Sequence, residues 1–260
     1  MPRPAVEIYQ TADALNGAAA ERIVDILEGV LREGDKATFV LTGGNTPRRT
    51  YELLAEPALH ERLDWDRIHF FWGDERCVPP EDPASNFGMA WRAFLSKLPI
   101  PSGNIHRILG ELEDPGNAAL RYEEEIRCIL TDGFPPAFDL ILLGMGEDGH
   151  TASLFPGTAW NKERLVVANF VPKLKATRIT MTPHLLNAGR TVIFLTAGAA
   201  KSKILAEVLE NPAADYPAKR IQPHTGNLTW MIDGAAAALL RSGLQQNKSA
   251  RNHTDSSKYK

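Results

Sequence analysis

A histidine beside two carboxylates in a glycine-rich stretch is the strongest chemical signal in the sequence. The stretch reads Gly144-Met145-Gly146-Glu147-Asp148-Gly149-His150-Thr151. A histidine side chain has an unperturbed pKa of about 6.5, so a neutral imidazole can accept a proton from water near neutral pH. A carboxylate close to the ring can hold it in the tautomer that this reaction needs. The pattern therefore predicts that His150 is a general base.

A second polar group contains two carboxylates next to a guanidinium group. Asp74, Glu75 and Arg76 follow the apolar run at residues 68–72. Arg76 is suited to grip a phosphate or a carboxylate through two parallel hydrogen bonds. Asp74 is suited to orient an imidazole, as carboxylates do in hydrolytic triads. The residues alone leave open whether Asp74 or Asp148 orients His150, and whether the group is only a surface salt bridge.

A third segment has the composition of a phosphate-binding turn. It reads Thr42-Gly43-Gly44-Asn45-Thr46-Pro47, between a predicted buried strand and a predicted helix. Glycines let backbone amides approach a ligand closely, and the first turn of a helix offers unpaired N–H groups and a positive dipole end. With Pro47 as the first helical residue, we expect an anion here, although Thr46 could serve only as a helix cap. Lys201 and Arg178 lie at other element boundaries and are weaker candidates.

These segments need a sheet that brings their strand ends together. Apolar runs predict strands at residues 6–9, 38–41, 68–72, 138–143, 179–182, 192–196 and 228–232. Helical spacing predicts helices at residues 12–31, 47–54, 86–95, 115–129, 199–209 and 234–240. Strands that alternate with helices indicate an α/β fold, here a Rossmann-like, mostly parallel sheet flanked by helices. We expect one domain over residues 1–241 and a polar, disordered tail over residues 242–260.

Composition restricts the classes of function. The chain has 260 residues, a formal net charge of -3 and two cysteines. This charge gives no reason to expect nucleic acid or a membrane as partner, and two cysteines make no disulfide framework. We see no secretory signal and no apolar run of membrane-spanning length, so a cytoplasmic protein is expected. No metal is expected, because metal-ligand spacing is missing among His60, His69, His106, His184 and His224. No cofactor is expected either.

The glycine-rich stretch also has the spacing of a dinucleotide-binding fingerprint. Gly144, Gly146 and Gly149 follow a predicted strand as Gly-x-Gly-x-x-Gly. The fingerprint belongs in the first βαβ unit, with an acidic residue about 20 positions later. Here it lies in the middle of the chain, and the residues around Asn169 include no such acid. Nicotinamide binding is therefore disfavoured, and a loop that delivers His150 to the carboxyl end of a central strand is favoured.

Four segments, in this order along the chain, resemble the 6-phosphogluconolactonase family: residues 42–47, 72–76, 85–90 and 144–157. The last contains the specific run Gly-x-Asp-Gly-His-Thr-Ala-Ser-Leu-Phe-Pro-Gly, and the likeness extends over roughly residues 5–240. In that family the first loop has Ser where Thr42 and Asn45 stand here. The resemblance implies the fold shared with glucosamine-6-phosphate deaminase and ribose-5-phosphate isomerase, without metal or nucleotide.

The resemblance also implies an activity, the hydrolysis of 6-phospho-D-glucono-1,5-lactone to 6-phospho-D-gluconate in the oxidative pentose phosphate pathway. His150 would deprotonate a water that attacks the lactone carbonyl, with Asp74 or Asp148 orienting the imidazole. Arg76 and loop amides would stabilise the oxyanion or hold the substrate. The residues expected to bind the 6-phosphate are Gly43, Gly44, Asn45, Thr46 and Lys201, with Arg178 as a helper.

Two other functions fit parts of the pattern. An aldose-ketose isomerase or deaminase on the same fold would bind a similar sugar phosphate, but that family's site loop resembles Asp-Glu-Tyr where Asp74, Glu75 and Arg76 stand here. A sugar-phosphate sensor without catalysis would normally carry a DNA-binding segment, and none is visible. In each case the expected partner is a small molecule, and the expected protein is a monomer or a homodimer.

Overall fold

Six parallel strands form the central sheet in the computed structural model, which describes residues 4–131, 133–161 and 163–241. They are β1 (Ala5–Tyr9), β2 (Ala37–Leu41), β3 (Ile68–Trp72), β5 (Leu140–Leu143), β8 (Thr191–Thr196) and β9 (Asn227–Asp233). Every residue of β2 and β5 is buried, as expected for strands that are covered by helices on both faces. The predicted Rossmann-like, mostly parallel sheet is confirmed.

The order of the strands creates a crevice near the middle of this sheet. The order is β1-β9-β8-β5-β2-β3, with all neighbours parallel. From β2 the chain proceeds outward to β3, whereas from β5 it proceeds to β8 and β9 in the opposite direction. Ligands of open α/β sheets bind at the carboxyl ends of strands where the direction reverses. The loops that follow β2 and β5 are therefore the two that border the expected binding crevice.

The helices cover the sheet with their apolar sides. They are α1 (Ala12–Glu33), α2 (Asn45–Leu54), α3 (Pro57–His60), α4 (Asn86–Ala93), α5 (Pro115–Ile129), α6 (Pro183–Leu186) and α7 (Ser202–Glu210). In α1, Leu15, Ile23 and Leu27 are completely buried, because residues three or four positions apart lie on one face of a helix. Thr11 caps this helix by accepting a hydrogen bond from the Ala14 amide at 3.1 Å.

A second, antiparallel sheet was not predicted. It contains β4 (Asp74–Arg76), β7 (Ala176–Met181) and β6 (Val166–Val171), in that order. The strand that we expected at residues 179–182 therefore belongs to this sheet rather than to the parallel one. Asp74–Arg76, which we interpreted as a loop, is itself a strand paired with β7. A strand of three charged residues has no apolar period, so its sequence does not reveal it.

Smaller differences concern element ends. Helix α2 begins at Asn45, so Pro47 is its third residue and not its first. This position is tolerated because the first turn of a helix leaves its N–H groups without intrahelical partners. The helix expected at residues 234–240 is a short 3-10 turn, Ala236–Leu239. The predicted tail at 242–260 lies outside the described residues. None of the helices in the described part of the chain combines the length and apolar character that a membrane crossing requires.

Candidate active site

His150 and Asp148 form a close pair in the loop that follows β5. The Nδ1 atom of His150 lies 2.5 Å from Oδ1 of Asp148. An ionised carboxylate only accepts hydrogen bonds, so this contact assigns the ring proton to Nδ1. The side chain of His150 is 30% exposed, and for its Nε2 atom no hydrogen-bond partner is found within the described residues. The pair thus presents an unoccupied nitrogen that can accept a proton.

The His150 ring is held in place by its own loop. The Gly146 amide donates to the His150 carbonyl at 2.8 Å, and the Thr151 hydroxyl donates to the Gly144 carbonyl at 2.8 Å. A Cβ atom at position 146 would overlap the imidazole, so only glycine allows the ring to lie where it does. The Phe155 ring stacks on the imidazole, with 4.1 Å between the ring centroids. Backbone hydrogen bonds and one aromatic contact therefore define the position of the proposed base.

The second oxygen of Asp148 faces a cation. Lys173 Nζ lies 2.9 Å from Asp148 Oδ2, and the lysine is in the turn that joins β6 to β7. Burial alone would raise the pKa of Asp148, but the hydrogen bonds from Lys173 and His150 and the charge of His150 lower it to about 2. Asp148 is therefore ionised throughout the neutral pH range and remains an acceptor for the Nδ1–H group of His150.

Asp74 has a different position from the one that an orienting role would need. Its Oδ2 atom accepts a hydrogen bond from the Ser153 hydroxyl at 2.5 Å, and its Oδ1 atom accepts from Asn86 Nδ2 at 3.3 Å. The residue is only 6% exposed. Of the two carboxylates that we considered, the structure brings Asp148 to the imidazole and ties Asp74 to Ser153, three residues beyond His150. Asp74 thus connects β4 to the loop that carries the base.

Glu75 anchors helix α4 beside the site, a contact that we did not predict. Its buried carboxylate accepts hydrogen bonds from the backbone amides of Asn86 and Phe87, both at 2.7 Å, and from the Ser85 hydroxyl at 3.0 Å. Burial raises the pKa of Glu75, while these backbone amides oppose the increase. A carboxylate at a helix N-terminus is a favourable arrangement. Because the partners are ten to twelve positions apart in sequence, no local pattern pointed to this contact.

Asn86 also bridges the Asp74 segment to the predicted phosphate-binding turn. Its amide donates to the Asp74 carbonyl at 2.9 Å, and its side chain occupies the space where a Cβ atom of residue 43 would be. Gly43 is therefore required for close packing of the two loops. Gly43 and Gly44 lead into α2, and Asn45 and Thr46 are its first two residues, so the amides at this helix start are available to an anion.

Two arginines lie side by side on the small sheet. Arg76 and Arg178 are directly opposite one another in the antiparallel pairing of β4 and β7. Arg76 donates to the Ala84 carbonyl, and Arg178 donates to the Thr177 carbonyl at 3.2 Å. In the part of the chain that the structure describes, neither forms a salt bridge with a carboxylate. Burial and the neighbouring charge of Arg76 lower the pKa of Arg178. Two adjacent cations without a paired carboxylate favour the binding of an anion.

Lys201 approaches the same edge of the sheet from another strand. It lies in the turn after β8, and its Nζ atom is 3.9 Å from Oε1 of Glu147 in the His150 loop. The buried Asp233 fixes this turn, because both oxygens of its carboxylate share the single N–H of Gly198, at 3.0 and 3.1 Å. The predicted site residues thus come from the ends of β2, β5 and β8, three adjacent strands, and from the small sheet. Among the described residues, no group of three or more His, Cys, Asp or Glu side chains is arranged to hold a metal.

Comparison with known proteins gives a consistent result over nearly the whole chain. Residues 10–230 match the family model described as glucosamine-6-phosphate isomerases/6-phosphogluconolactonase. The chain is 40% identical over 239 residues to the 6-phosphogluconolactonase of Nostoc, a match covering 90% of this chain and 98% of the relative. It is 41% identical over 203 residues to the 6-phosphogluconolactonase of Haemophilus influenzae, with 77% and 86% covered.

Solved structures agree with the sequence relatives. The 6-phosphogluconolactonase from Thermotoga maritima has a TM-score of 0.76 and 37% identity, covering 88% of this chain and 99% of that one. The enzyme from Trypanosoma cruzi has a TM-score of 0.80 and 31% identity, with 91% and 96% covered. A monomeric glucosamine-6-phosphate deaminase shares the fold, with a TM-score of 0.76 at 24% identity, covering 90% of this chain and 99% of that one. From its matched residues and its relatives, the chain belongs to the family of glucosamine-6-phosphate isomerases and 6-phosphogluconolactonases.

Proposed function

We propose that this protein hydrolyses 6-phospho-D-glucono-1,5-lactone to 6-phospho-D-gluconate, the lactonase step of the oxidative pentose phosphate pathway. The observation that carries the proposal is the His150–Asp148 pair, which offers a free imidazole nitrogen at the crevice between β2 and β5. The names of the relatives support the same activity. Hydrolysis of a lactone needs one base that activates water, which is what this pair supplies.

The chemistry follows from the state of the imidazole. His150 Nε2 takes a proton from water as the water oxygen attacks the lactone carbonyl carbon, C1. The tetrahedral intermediate then collapses, the bond between C1 and the ring oxygen breaks, and the imidazolium returns its proton to that oxygen. Asp148 accepts the Nδ1–H hydrogen bond throughout and stabilises the transient imidazolium. The product is an open-chain acid, which releases a proton to water at neutral pH.

Cations and loop amides hold the substrate in this scheme. We assign the 6-phosphate to residues 43–46, which lead into and begin α2, and to Lys201 in the turn after β8, because a helix start and an ammonium group both favour a dianion. Arg76 stabilises the developing oxyanion or holds the substrate, and Arg178 assists. The adjacency of the two arginines supports a shared anionic partner.

Replacement of the base is the direct test. Freshly prepared lactone is mixed with enzyme, and the 6-phosphogluconate formed is measured with a coupled dehydrogenase, after subtraction of spontaneous ring opening. His150→Ala should lower kcat/KM by about a hundredfold or more, since a general base contributes at least that much. His224→Ala, at an exposed histidine far along the chain from the loop, is the matched control and should leave the rate unchanged. A wild-type rate for His150→Ala would disprove the role of His150.

The two rival functions have their own assays. Release of ammonia from glucosamine 6-phosphate would identify a deaminase, and binding of the lactone without turnover would identify a sensor. The finer features of the proposal are a cytoplasmic location and a monomeric or homodimeric state. They are tested by cell fractionation and by light scattering after size-exclusion chromatography.

A further inference from the structure

We propose that Lys173 is a positioning residue for the catalytic pair. Its ammonium group holds the outer oxygen of Asp148, so that the inner oxygen stays directed at His150 and favours the imidazolium less. The contacts are 2.9 Å for Lys173 Nζ to Asp148 Oδ2 and 2.5 Å for Asp148 Oδ1 to His150 Nδ1. The inference rests on the proposed function of His150 as a base, and it adds a residue that the motif of residues 144–157 does not contain.

The position of Lys173 is defined by the hairpin that carries it. The lysine lies in the short turn Pro172–Leu174, between β6 and β7. The hairpin is joined to the His150 loop at two buried points: Asn169 Nδ2 donates to the Ser153 carbonyl at 2.7 Å, and the Ser153 amide donates to the Thr180 hydroxyl at 3.1 Å. The backbone that bears Lys173 is thus fixed relative to Asp148. An ion pair on a fixed support loses less entropy than one between two free surface side chains.

The charge of Lys173 opposes protonation of the His150 ring. A carboxylate next to an imidazole favours the imidazolium, which cannot accept a proton from water. The Lys173 ammonium shares that carboxylate and reduces its effect on the ring. Its removal should therefore raise the pH at which His150 is half protonated and reduce the fraction of free base near neutral pH. At high pH the ring is neutral in either case, so the rate there should change little.

Other charged groups around the loop do not replace this contact. Glu147 extends toward Lys201 at 3.9 Å, and Asp74 is occupied by Ser153. Tyr216 packs against Gly149. Lys175 lies two positions after Lys173 on the same turn and is also exposed, but no carboxylate partner is found for it among the described residues. It therefore provides a control that removes the same charge from the same hairpin.

The test measures the protonation of His150 directly. The ring Cε1–H resonance is followed by NMR from pH 4.5 to 9 without substrate, and it is assigned by its loss in His150→Gln. Lys173→Met should raise the titration midpoint by about half a pH unit, the size expected for a partly exposed ion pair. Lys173→Arg should restore the wild-type midpoint, Lys173→Glu should exceed the shift of Lys173→Met, and Lys175→Met should give almost no shift.

Kinetics provide the second readout. In Lys173→Met, kcat/KM for the lactone should fall about two- to threefold at pH 6.5 and recover at pH 9. An unmoved or lowered midpoint, an equal shift in Lys175→Met, or a loss of rate that is uniform with pH would each overturn the inference. Because the NMR titration needs no substrate, it also separates the two proposals. A shifted midpoint in a protein that does not hydrolyse the lactone would uphold the positioning contact and refute the proposed function.

Discussion

Two regions of this molecule contain nearly the same pair of side chains in different surroundings. At the site, His150 Nδ1 contacts Asp148 at 2.5 Å, and a phenylalanine ring stacks on the imidazole. In the segment between β3 and α5, His106 Nδ1 contacts Glu125 of α5 at 2.7 Å, and Phe71 of β3 stacks on that imidazole at 4.5 Å. A carboxylate, an imidazole and an aromatic ring are present in both regions.

The difference lies at the second nitrogen. Nε2 of His106 is 2.9 Å from Nδ1 of His69, and the His106 side chain is 5% exposed. The corresponding atom of His150 has no partner among the described residues, and that side chain is 30% exposed. A histidine with both nitrogens occupied can only join elements together. A histidine with one nitrogen free and open to the crevice can exchange protons with a ligand, so the histidine–carboxylate contact alone does not identify a catalytic group.

The largest expected effect separates the two carboxylates. Asp148→Asn should lower kcat/KM by about a thousandfold, or ~4 kcal/mol, because an amide no longer enforces the Nδ1–H tautomer or stabilises the imidazolium. Glu125→Gln makes the same chemical change in the second region and should leave the rate per folded molecule within about twofold. The measurement is lactone hydrolysis over a range of enzyme concentrations. Equal losses in both variants would remove the distinction between the regions.

The stability of the fold should depend more on His106 than on His150, the reverse of the expected order for activity. His106→Ala removes a buried, stacked ring and leaves His69 without its partner, so we expect a loss of about 2–3 kcal/mol in the free energy of unfolding. His150→Ala removes a partly exposed ring and should cost less than about 1 kcal/mol. Urea unfolding followed by circular dichroism gives both values. If His150→Ala destabilised the protein as much as His106→Ala, the site histidine would be a structural element as well.

Acidification should produce the smallest effect, a loss of stability that depends on one histidine, His69. Burial, followed by the charges of His106 and Lys36, lowers the pKa of His69 to about 4. The unfolded chain therefore binds this proton first, and stability decreases as the pH falls from about 6.5 to about 4. Because His69 is partly exposed, solvent screening reduces the expected loss to about 1–2 kcal/mol. Asp148, with its pKa of about 2, contributes only below this window.

The matched variant for that experiment is His69→Gln, which keeps a polar side chain but cannot titrate. In this variant, most of the decrease in the free energy of unfolding between pH 6.5 and pH 4 should disappear. Urea titrations at fixed pH measure the free energy. An unchanged pH profile would show that another group controls acid stability.

Local pattern was sufficient for much of the fold. The strand at residues 68–72 has the predicted bounds, and the parallel sheet follows from the alternation of apolar strands with amphipathic helices. The small sheet was missed because β4 is three charged residues and because the run Val166–Val171, whose polar Asn169 interrupts its apolar residues, was not interpreted as a strand. The prediction that residues 1–241 form one domain stays a prediction.

The roles of individual side chains were harder to predict. The His150 loop could be found because its glycines, carboxylates and histidine are contiguous. The choice between Asp148 and Asp74 remained open because it depends on tertiary distances, and Asp74 turns to Ser153, which is 79 positions away. Lys173 is one lysine in a polar turn, and no local pattern marks its approach to Asp148, 25 positions earlier. His69 and His106 lack metal-ligand spacing and were therefore set aside, although they form a hydrogen-bonded pair.

The hairpin of β6 and β7 has a consequence for protein engineering. The crossover from β5 to β8 contains the proposed base His150, Asp148, Lys173 and the strands that support them, so residues 144–181 form a structural unit rather than a replaceable connection. A shortened chimaera that substitutes a plain helix here would lose His150, Asp148 and Lys173 together. If this unit were moved into another sheet, two hydrogen-bond acceptors would have to move with it. Asp74 accepts from the Ser153 hydroxyl, and Glu123 accepts from the amides of Leu165 and Val166 at 3.0 and 3.2 Å. A recipient scaffold would therefore have to supply a carboxylate at each of these two positions.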